Sequence, residues 1–116
     1  MNFGEYIRKK REALQSTDPD WSLRKTAMRV GIEPSYLSKI ERGELPPPGE
    51  DCVVRLAKDL DLHPDVMLAM AGKVSSDLLE VIRRRPELFS QLLRELKNVP
   101  DDAVLRLVRE IRDGDW

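Results

Sequence analysis

Two short helical patterns meet at a glycine in the segment WSLRKTAMRVGIEPSYLSKIERG, which occupies residues 21–43. Ser22 suits the N-cap of the first helix, because a serine hydroxyl accepts a hydrogen bond from a free backbone N–H in the first turn. Gly31 lies where the chain must turn sharply, and glycine adopts a left-handed backbone without steric cost. Glu33 can then cap a second helix, with Pro34 at its first position, where a missing N–H costs nothing. The segment therefore predicts a helix-turn-helix.

The second helix of this segment has two chemically different faces. Leu37 and Ile40 lie on one face and would anchor the helix to an apolar core. The opposite face carries short polar side chains first and cations later: Ser35, Ser38, Lys39 and Arg42. A helix with such a face can lie in the major groove of DNA, where its side chains reach base edges and phosphates.

The segment is part of a longer pattern. From Phe3 to about Gly72 the chain resembles the XRE family of helix-turn-helix regulators, which are related to phage repressors and Cro. The resemblance is carried by the apolar spacing, the turn glycine, the cap residues and four runs: FGEYIRKKRE, SYLSKIERG, LPPPGEDCVVRLAKDLDL and HPDVMLAMAG. The chain departs from the family pattern in three places. Thr26 stands at a usual leucine, Leu23 stands at a usual phosphate-contacting glutamine, and several extra residues lengthen the loop before Trp21.

The family pattern implies roles for individual residues at the DNA. The residues expected at base edges are Pro34, Ser35, Ser38 and Lys39. The residues expected at phosphates are Ser22, Tyr36 and Arg42, together with backbone N–H groups near Leu23. Lys39 would donate to guanine O6 and N7, whereas Pro34 offers only an apolar contact, for instance with a thymine methyl. The resemblance also implies a structural ion pair between Arg11 and Glu41, which would hold the first helix against the DNA-reading helix.

Further helical patterns flank the segment. Apolar spacing and cap residues predict helices over residues 2–14, 49–60 and 64–72, the last of them capped by His63. The turn-forming run QSTDPD at 15–20 and the proline-rich run LPPPG at 45–49 separate these helices as a loop and an extended connector.

The chain changes character after Gly72. Apolar stripes follow at residues 78–82, 88–96 and 104–111, with three arginines and a proline between the first and the second. These stripes provide more apolar surface than is needed to complete the core of a five-helix head. They would therefore pack on each other, on the head or on a second copy. We therefore predict an all-α chain: a repressor-like DNA-binding domain over residues 1–72 with five helices, and an extension over 73–116 with two or three more. The extension would dimerise or bind another protein.

Composition sets limits on the class of protein. The 116 residues carry 20 Lys/Arg and 21 Asp/Glu, with a pI near 5.9, so any DNA-binding face must be positive locally rather than through bulk charge. Residues 1–47 hold nine cations and seven anions, whereas residues 48–116 hold eleven and fourteen. No apolar run approaches the roughly 18 residues of a membrane span, and the N-terminus lacks a secretory pattern. A lone Cys52 fits a reducing compartment, so we expect a cytoplasmic protein with no membrane partner.

Chemistry-bearing residues are too sparse for an enzyme. His63 and Cys52 are the only histidine and cysteine, and each has a structural explanation, the first as a helix cap and the second as a buried apolar side chain. The sequence has no Gly-rich phosphate loop and no metal-ligand cluster. We therefore expect no catalytic activity, no cofactor and no metal.

Two functions remain open from the sequence. The first is a sequence-specific transcriptional regulator, most simply a homodimeric repressor of a palindromic operator in double-stranded DNA, because one helix reads too few base pairs for useful specificity. The second is an antitoxin, or a repressor controlled by a protease, in which the C-terminal helices bind the toxin or the protease. Apolar stripes are expected for either function.

Overall fold

The computed structural model describes residues 2–114 and residue 116, and in this part of the chain it contains eight α-helices and no strand. The first five are α1 Phe3–Gln15, α2 Leu23–Val30, α3 Pro34–Glu41, α4 Glu50–Asp59 and α5 Pro64–Met70. The last three are α6 Ser76–Arg84, α7 Pro86–Leu96 and α8 Asp101–Asp113. The all-α prediction is confirmed, with a five-helix head and three further helices. No helix in the described part is both long enough and apolar enough to cross a membrane.

The chain divides into two compact units, which we call the head (residues 1–75) and the C-terminal unit (residues 76–116). The head has one apolar core, to which all five of its helices contribute. The buried hydrophobic residues of this core are Phe3, Ile7, Ala27, Val30, Leu37, Ile40, Val53, Leu56, Ala57, Leu60, Met67 and Leu68. Packing of amphipathic helices around this core is what fixes α2 and α3 relative to each other.

Cap residues set the ends of the helices in the head. The Asn2 side chain accepts from the Glu5 N–H at 2.9 Å, so α1 begins at Phe3, one residue later than predicted. His63 Nδ1 accepts from the Asp65 N–H at 3.1 Å, which is the capping role expected from the sequence. Helix α5 ends at Met70, two residues before the predicted end at Gly72.

The loop predicted at residues 15–20 contains regular structure. Gln15 is the last residue of α1, and Pro19–Trp21 form one turn of 3₁₀ helix. The Asp18 carboxylate caps this turn by accepting from the Asp20 N–H at 2.9 Å. Turn-forming residues therefore gave the correct position of the connection, but Asp18 and Pro19 organise it as a short helix rather than an irregular loop.

Helix α1 approaches the end of α3 closely at Gly4. A Cβ atom at this position would overlap the carbonyl oxygen of Ile40, so a residue with a side chain would force the two helices apart. The absence of a side chain at Gly4 brings the backbone of α1 against the C-terminal turn of α3.

The described part of the C-terminal unit has no buried core. None of its described residues is buried, although α6 and α7 contact each other. The half-buried apolar residues of its helices are Leu79, Ile82, Phe89, Leu96, Ala103, Val104 and Leu107. The exposed ones are Leu78, Val81, Leu88, Leu92, Leu93, Leu105, Val108 and Ile111. Each helix thus carries two apolar rows, and only one of them is partly covered.

Candidate nucleic-acid interface

The turn between α2 and α3 is built around Gly31. Its φ of 83° is left-handed, and the N–H groups of Gly31 and Ile32 both donate to the Ala27 carbonyl, at 2.9 and 3.0 Å. These bonds satisfy a carbonyl at the end of α2 and turn the chain toward Pro34, where α3 begins. Glu33 occupies the N-cap position as predicted, but its side chain makes no capping hydrogen bond.

The inner face of α3 is fixed to the core of the head. Leu37 and Ile40 are buried, and they pack in the same core as Ala27 and Val30 of α2. Because the inner face is held in this way, the orientation of the opposite face is set by packing rather than by flexible side chains.

The outer face of α3 carries the four residues predicted to read bases. Ser35 and Lys39 are exposed, whereas Pro34 and Ser38 are half-buried. Ser35 and Lys39 are four residues apart, so the hydroxyl and the ammonium group lie on one helix surface, and Ser38 lies at the side of this surface. This surface offers donors to guanine and acceptor or donor groups to other bases, and Pro34 adds an apolar edge.

Ser22 and Leu23 lie at the start of α2, where phosphate contacts are predicted. The Ser22 hydroxyl accepts a hydrogen bond from the Lys25 N–H at 3.2 Å, and the Ser22 carbonyl accepts one from the Thr26 N–H at 2.9 Å. The hydroxyl hydrogen remains able to donate to a phosphate oxygen. The N–H of Leu23 lies in the first turn, where helical N–H groups lack intrahelical partners, while its half-buried side chain packs on the core.

Tyr36 and Arg42 are the other two residues predicted at phosphates. Tyr36 is half-buried against the core. Arg42 Nη1 lies 2.9 Å from Glu44 Oε1, and its Nε donates to the Ser38 carbonyl at 3.3 Å. Both side chains of the Arg42–Glu44 pair are half exposed, so the pair contributes little, about 0–1 kcal/mol, and a phosphate can replace the carboxylate.

Arg11 and Glu41 join α1 to α3. Arg11 Nε and Nη2 donate to the two carboxylate oxygens of Glu41 at 2.7 and 2.9 Å, and both residues are buried. The Nη1 group donates to Gln15 Oε1 and to the Trp21 carbonyl. The hydrogen bond to Glu41 raises the pKa of Arg11 above its ordinary value, although burial acts in the opposite direction. The pair lies on the inner side of α3, away from the exposed Lys39.

A cluster around Arg29 was missed by the sequence reasoning. Its guanidinium donates to both carboxylate oxygens of Asp59, at 2.8 and 3.1 Å, and to the Asp20 carbonyl. It also lies over the Trp21 ring, with 4.5 Å between Cζ and the ring centroid. The hydrogen bond to Asp59 raises the pKa of Arg29. Arg29 therefore joins the 3₁₀ turn and α4 to α2, the helix that precedes α3.

Thr26 explains part of this cluster. It is fully buried, with 0% of its surface exposed, and its Oγ1 accepts from Arg29 Nη2 at 3.3 Å. The threonine at a usual leucine position is therefore accommodated because Arg29 supplies a partner for the buried hydroxyl. The pairing could have been suspected from the spacing of the two residues, which are three apart on one helix.

Cys52 is half-buried beside the core, and burial raises the pKa of its thiol. Among the described residues, no three His, Cys, Asp or Glu side chains come together as a metal site would require.

The comparisons with known proteins bear on the head. Residues 2–70, more than half of the chain, match the family described as a helix-turn-helix domain, of the XRE-like type expected from the sequence. The family binds DNA and is typically not enzymatic. Neither the curated proteins nor the solved structures gave a match.

Proposed function

The chain belongs to the helix-turn-helix domain family of DNA-binding regulators, and from this premise we propose that it is a repressor that binds a palindromic operator as a homodimer. The observation that carries the proposal is the outer face of α3, where Ser35 and Lys39 are exposed on a helix whose inner face is buried. We propose that Pro34, Ser35, Ser38 and Lys39 contact base edges. We also propose that the protein is cytoplasmic, as the sequence led us to expect.

The phosphate contacts proposed beside this face come from both helices of the motif. Ser22 and the backbone N–H of Leu23 would hold one phosphate at the start of α2. Tyr36 and Arg42 would hold others along α3. Leu23 stands where the family usually has a glutamine that contacts a phosphate. The phosphate contact at this position would therefore come from the backbone N–H rather than from a side chain. Because few phosphates are contacted, the affinity should fall only moderately as the salt concentration rises.

The homodimer follows from the size of the reading surface. One α3 helix reaches only a few base pairs, and two heads about one turn of DNA apart would double the readout. The experiment is DNase footprinting on the DNA upstream of the gene that encodes the chain. We expect protection of an inverted repeat by the full chain, and protection by Lys39→Ala only at clearly higher protein concentrations. Protection without repeat symmetry would contradict the dimeric reading.

A second candidate function is supported by the C-terminal unit. Its exposed leucine, valine and isoleucine side chains would suit a protein partner, as in an antitoxin that binds a toxin or a repressor removed by a protease. Co-expression with the product of the neighbouring gene distinguishes the two functions. A stable complex in which the exposed rows become protected from hydrogen exchange would favour this second function.

A further inference from the structure

The C-terminal unit lacks the core that a unit of its size needs. None of its described residues is buried, and each helix keeps an exposed apolar row. Chains of about 40 residues rarely fold on a single core and usually need a partner, a metal or a disulfide. The unit contains no cysteine, and none of its described residues form a group that could hold a metal ion, so of these three a protein partner remains.

Two of these rows are complementary in charge. The first, the α7 row, consists of Leu88, Gln91, Leu92 and Glu95, which line one shallow depression. Leu88 is 65% exposed and Leu92 is 36% exposed. The row carries one carboxylate and no cation.

The second row lies on α8, and we call it the α8 row. It consists of Leu105, Val108 and Arg109, which share one helix face at spacings of three and four residues. Leu105 is 52% exposed and Val108 is 50% exposed. The α8 row therefore combines apolar side chains with a cation, whereas the α7 row combines apolar side chains with an anion.

Glu95 and Arg109 are the charged residues of the two rows. Other cations of α8 have partners: Arg106 lies 3.8 Å from Asp102, and Arg112 lies 3.2 Å from Asp113. Neither Glu95 nor Arg109 takes part in an ion pair within the described part of the chain.

We propose that a second copy of this chain covers both rows, with the α7 row of each copy packed on the α8 row of the other. In a two-fold dimer this contact occurs twice, and each time Glu95 meets the partner's Arg109. Residues 76–116 hold eight Lys/Arg and nine Asp/Glu, so two copies do not repel each other through net charge. The inference rests on the proposed homodimer and names its interface.

The test measures self-association of the full chain without DNA. Glu95→Arg and Arg109→Glu, made separately, each place two like-charge contacts in the dimer and should raise its dissociation constant by about tenfold or more in sedimentation equilibrium. An equimolar mixture of the two variants should associate nearly as well as the unaltered chain, because both contacts are attractive in the mixed dimer. The double variant should also associate. Glu110→Arg, which reverses an exposed charge elsewhere on α8, is the matched control and should change nothing.

The outcomes separate this inference from the proposed function. Unchanged association of the single variants, or a mixture as weak as its components, would overturn the α7–α8 interface while leaving a dimeric repressor intact. If the unaltered chain is monomeric at tens of micromolar, the proposal that a second copy covers the two rows is wrong. Circular dichroism on each variant checks that weak association does not come from a loss of helix, and a variant pair that loses helix and is not rescued in the mixture counts against the proposal.

Discussion

Arg11 on α1 and Glu41 on α3 form a buried two-point ion pair, with Arg11 Nε and Nη2 at 2.7 and 2.9 Å from the two carboxylate oxygens. Only 5% of Arg11 and 3% of Glu41 is exposed. Two charges removed from water are tolerated because each satisfies the other in bidentate geometry. Together with the close approach at Gly4, the pair sets where α3 lies on α1, and therefore how the outer face of α3 is oriented.

Glu41→Ala should destabilise the head strongly. The substitution leaves the Arg11 guanidinium buried without its carboxylate, which costs about 3–5 kcal/mol. We expect a clear fall in Tm, with base preference unchanged in the protein that remains folded, because the pair lies off the exposed face of α3. Glu44→Ala is the control, since the Arg42–Glu44 pair is half exposed and its loss should cost no more than about 1 kcal/mol. An unchanged Tm for Glu41→Ala would show that the pair has no structural role.

Lys39 and Arg42 should differ in what their removal does to DNA binding. If Lys39 contacts a base, Lys39→Ala costs about 1–3 kcal/mol at the preferred operator and relaxes preference at one position. Arg42→Ala should weaken all sequences alike and reduce the salt slope by about one charge. Binding titrations on operator variants at several salt concentrations measure both effects. Equal and sequence-independent losses from the two substitutions would remove Lys39 from the base-reading residues.

Thr26 and Arg29 should be energetically coupled. Arg29→Ala removes the contacts to Asp59 and Trp21 and leaves the buried Thr26 hydroxyl without this donor, at a cost of roughly 1–3 kcal/mol. In a Thr26→Val background the hydroxyl is absent, so the same substitution should cost less, by about 1 kcal/mol. Urea unfolding of the four proteins gives the coupling free energy. Additive losses of unfolding free energy would show that the hydrogen bond from Arg29 to Thr26 does not contribute to stability.

The helices of the head were predictable because their signals are local. Ser22, Gly31, Pro34 and His63 act on backbone groups within a few residues of themselves, and the predicted ends agree with the structure to within two residues. The 3₁₀ turn at Pro19–Trp21 was missed because turn-forming residues favour loops and short helices alike. The side chain of Glu33 does not cap α3, and glutamate is not among the residues that favour the N-cap position.

Contacts between distant residues were harder to predict. Arg29 and Asp59 are 30 residues apart, so their pairing depends on the packing of α2 on α4, which no local pattern encodes. Arg11 and Glu41 are equally far apart and were expected only from the family resemblance. The stripes of the C-terminal helices were visible in the sequence, and the structure adds which of their residues are exposed in the single chain.

Cys52 should make stability depend on pH in the alkaline range. Burial favours the neutral thiol and raises its pKa in the folded state. A raised folded-state pKa means that this stabilisation is fully present below the unfolded value of about 8.5 and is lost as the pH rises through the folded value. The difference in unfolding free energy between the unaltered chain and Cys52→Ala should therefore shrink from pH 8 upward, under reducing conditions. A difference independent of pH would contradict this.

A chain ended after Ser75 should fold as a monomeric head. All twelve buried hydrophobic residues in the described part of the chain lie within it, and the cut retains Lys73, whose Nζ donates to the Pro48 carbonyl at 2.9 Å. If two heads are linked in the full protein, their separation should weaken binding to the palindrome by about 100- to 10,000-fold, because the second half-site is no longer bound at a high effective concentration. A duplex with a single half-site is the control, and the shortened and full chains should bind it equally. Light scattering measures the oligomeric state, and fluorescence anisotropy measures both affinities. Equal affinity of the two proteins for the palindrome would mean that the C-terminal unit does not link the heads, and the toxin or protease partner would then become the better explanation of its exposed rows.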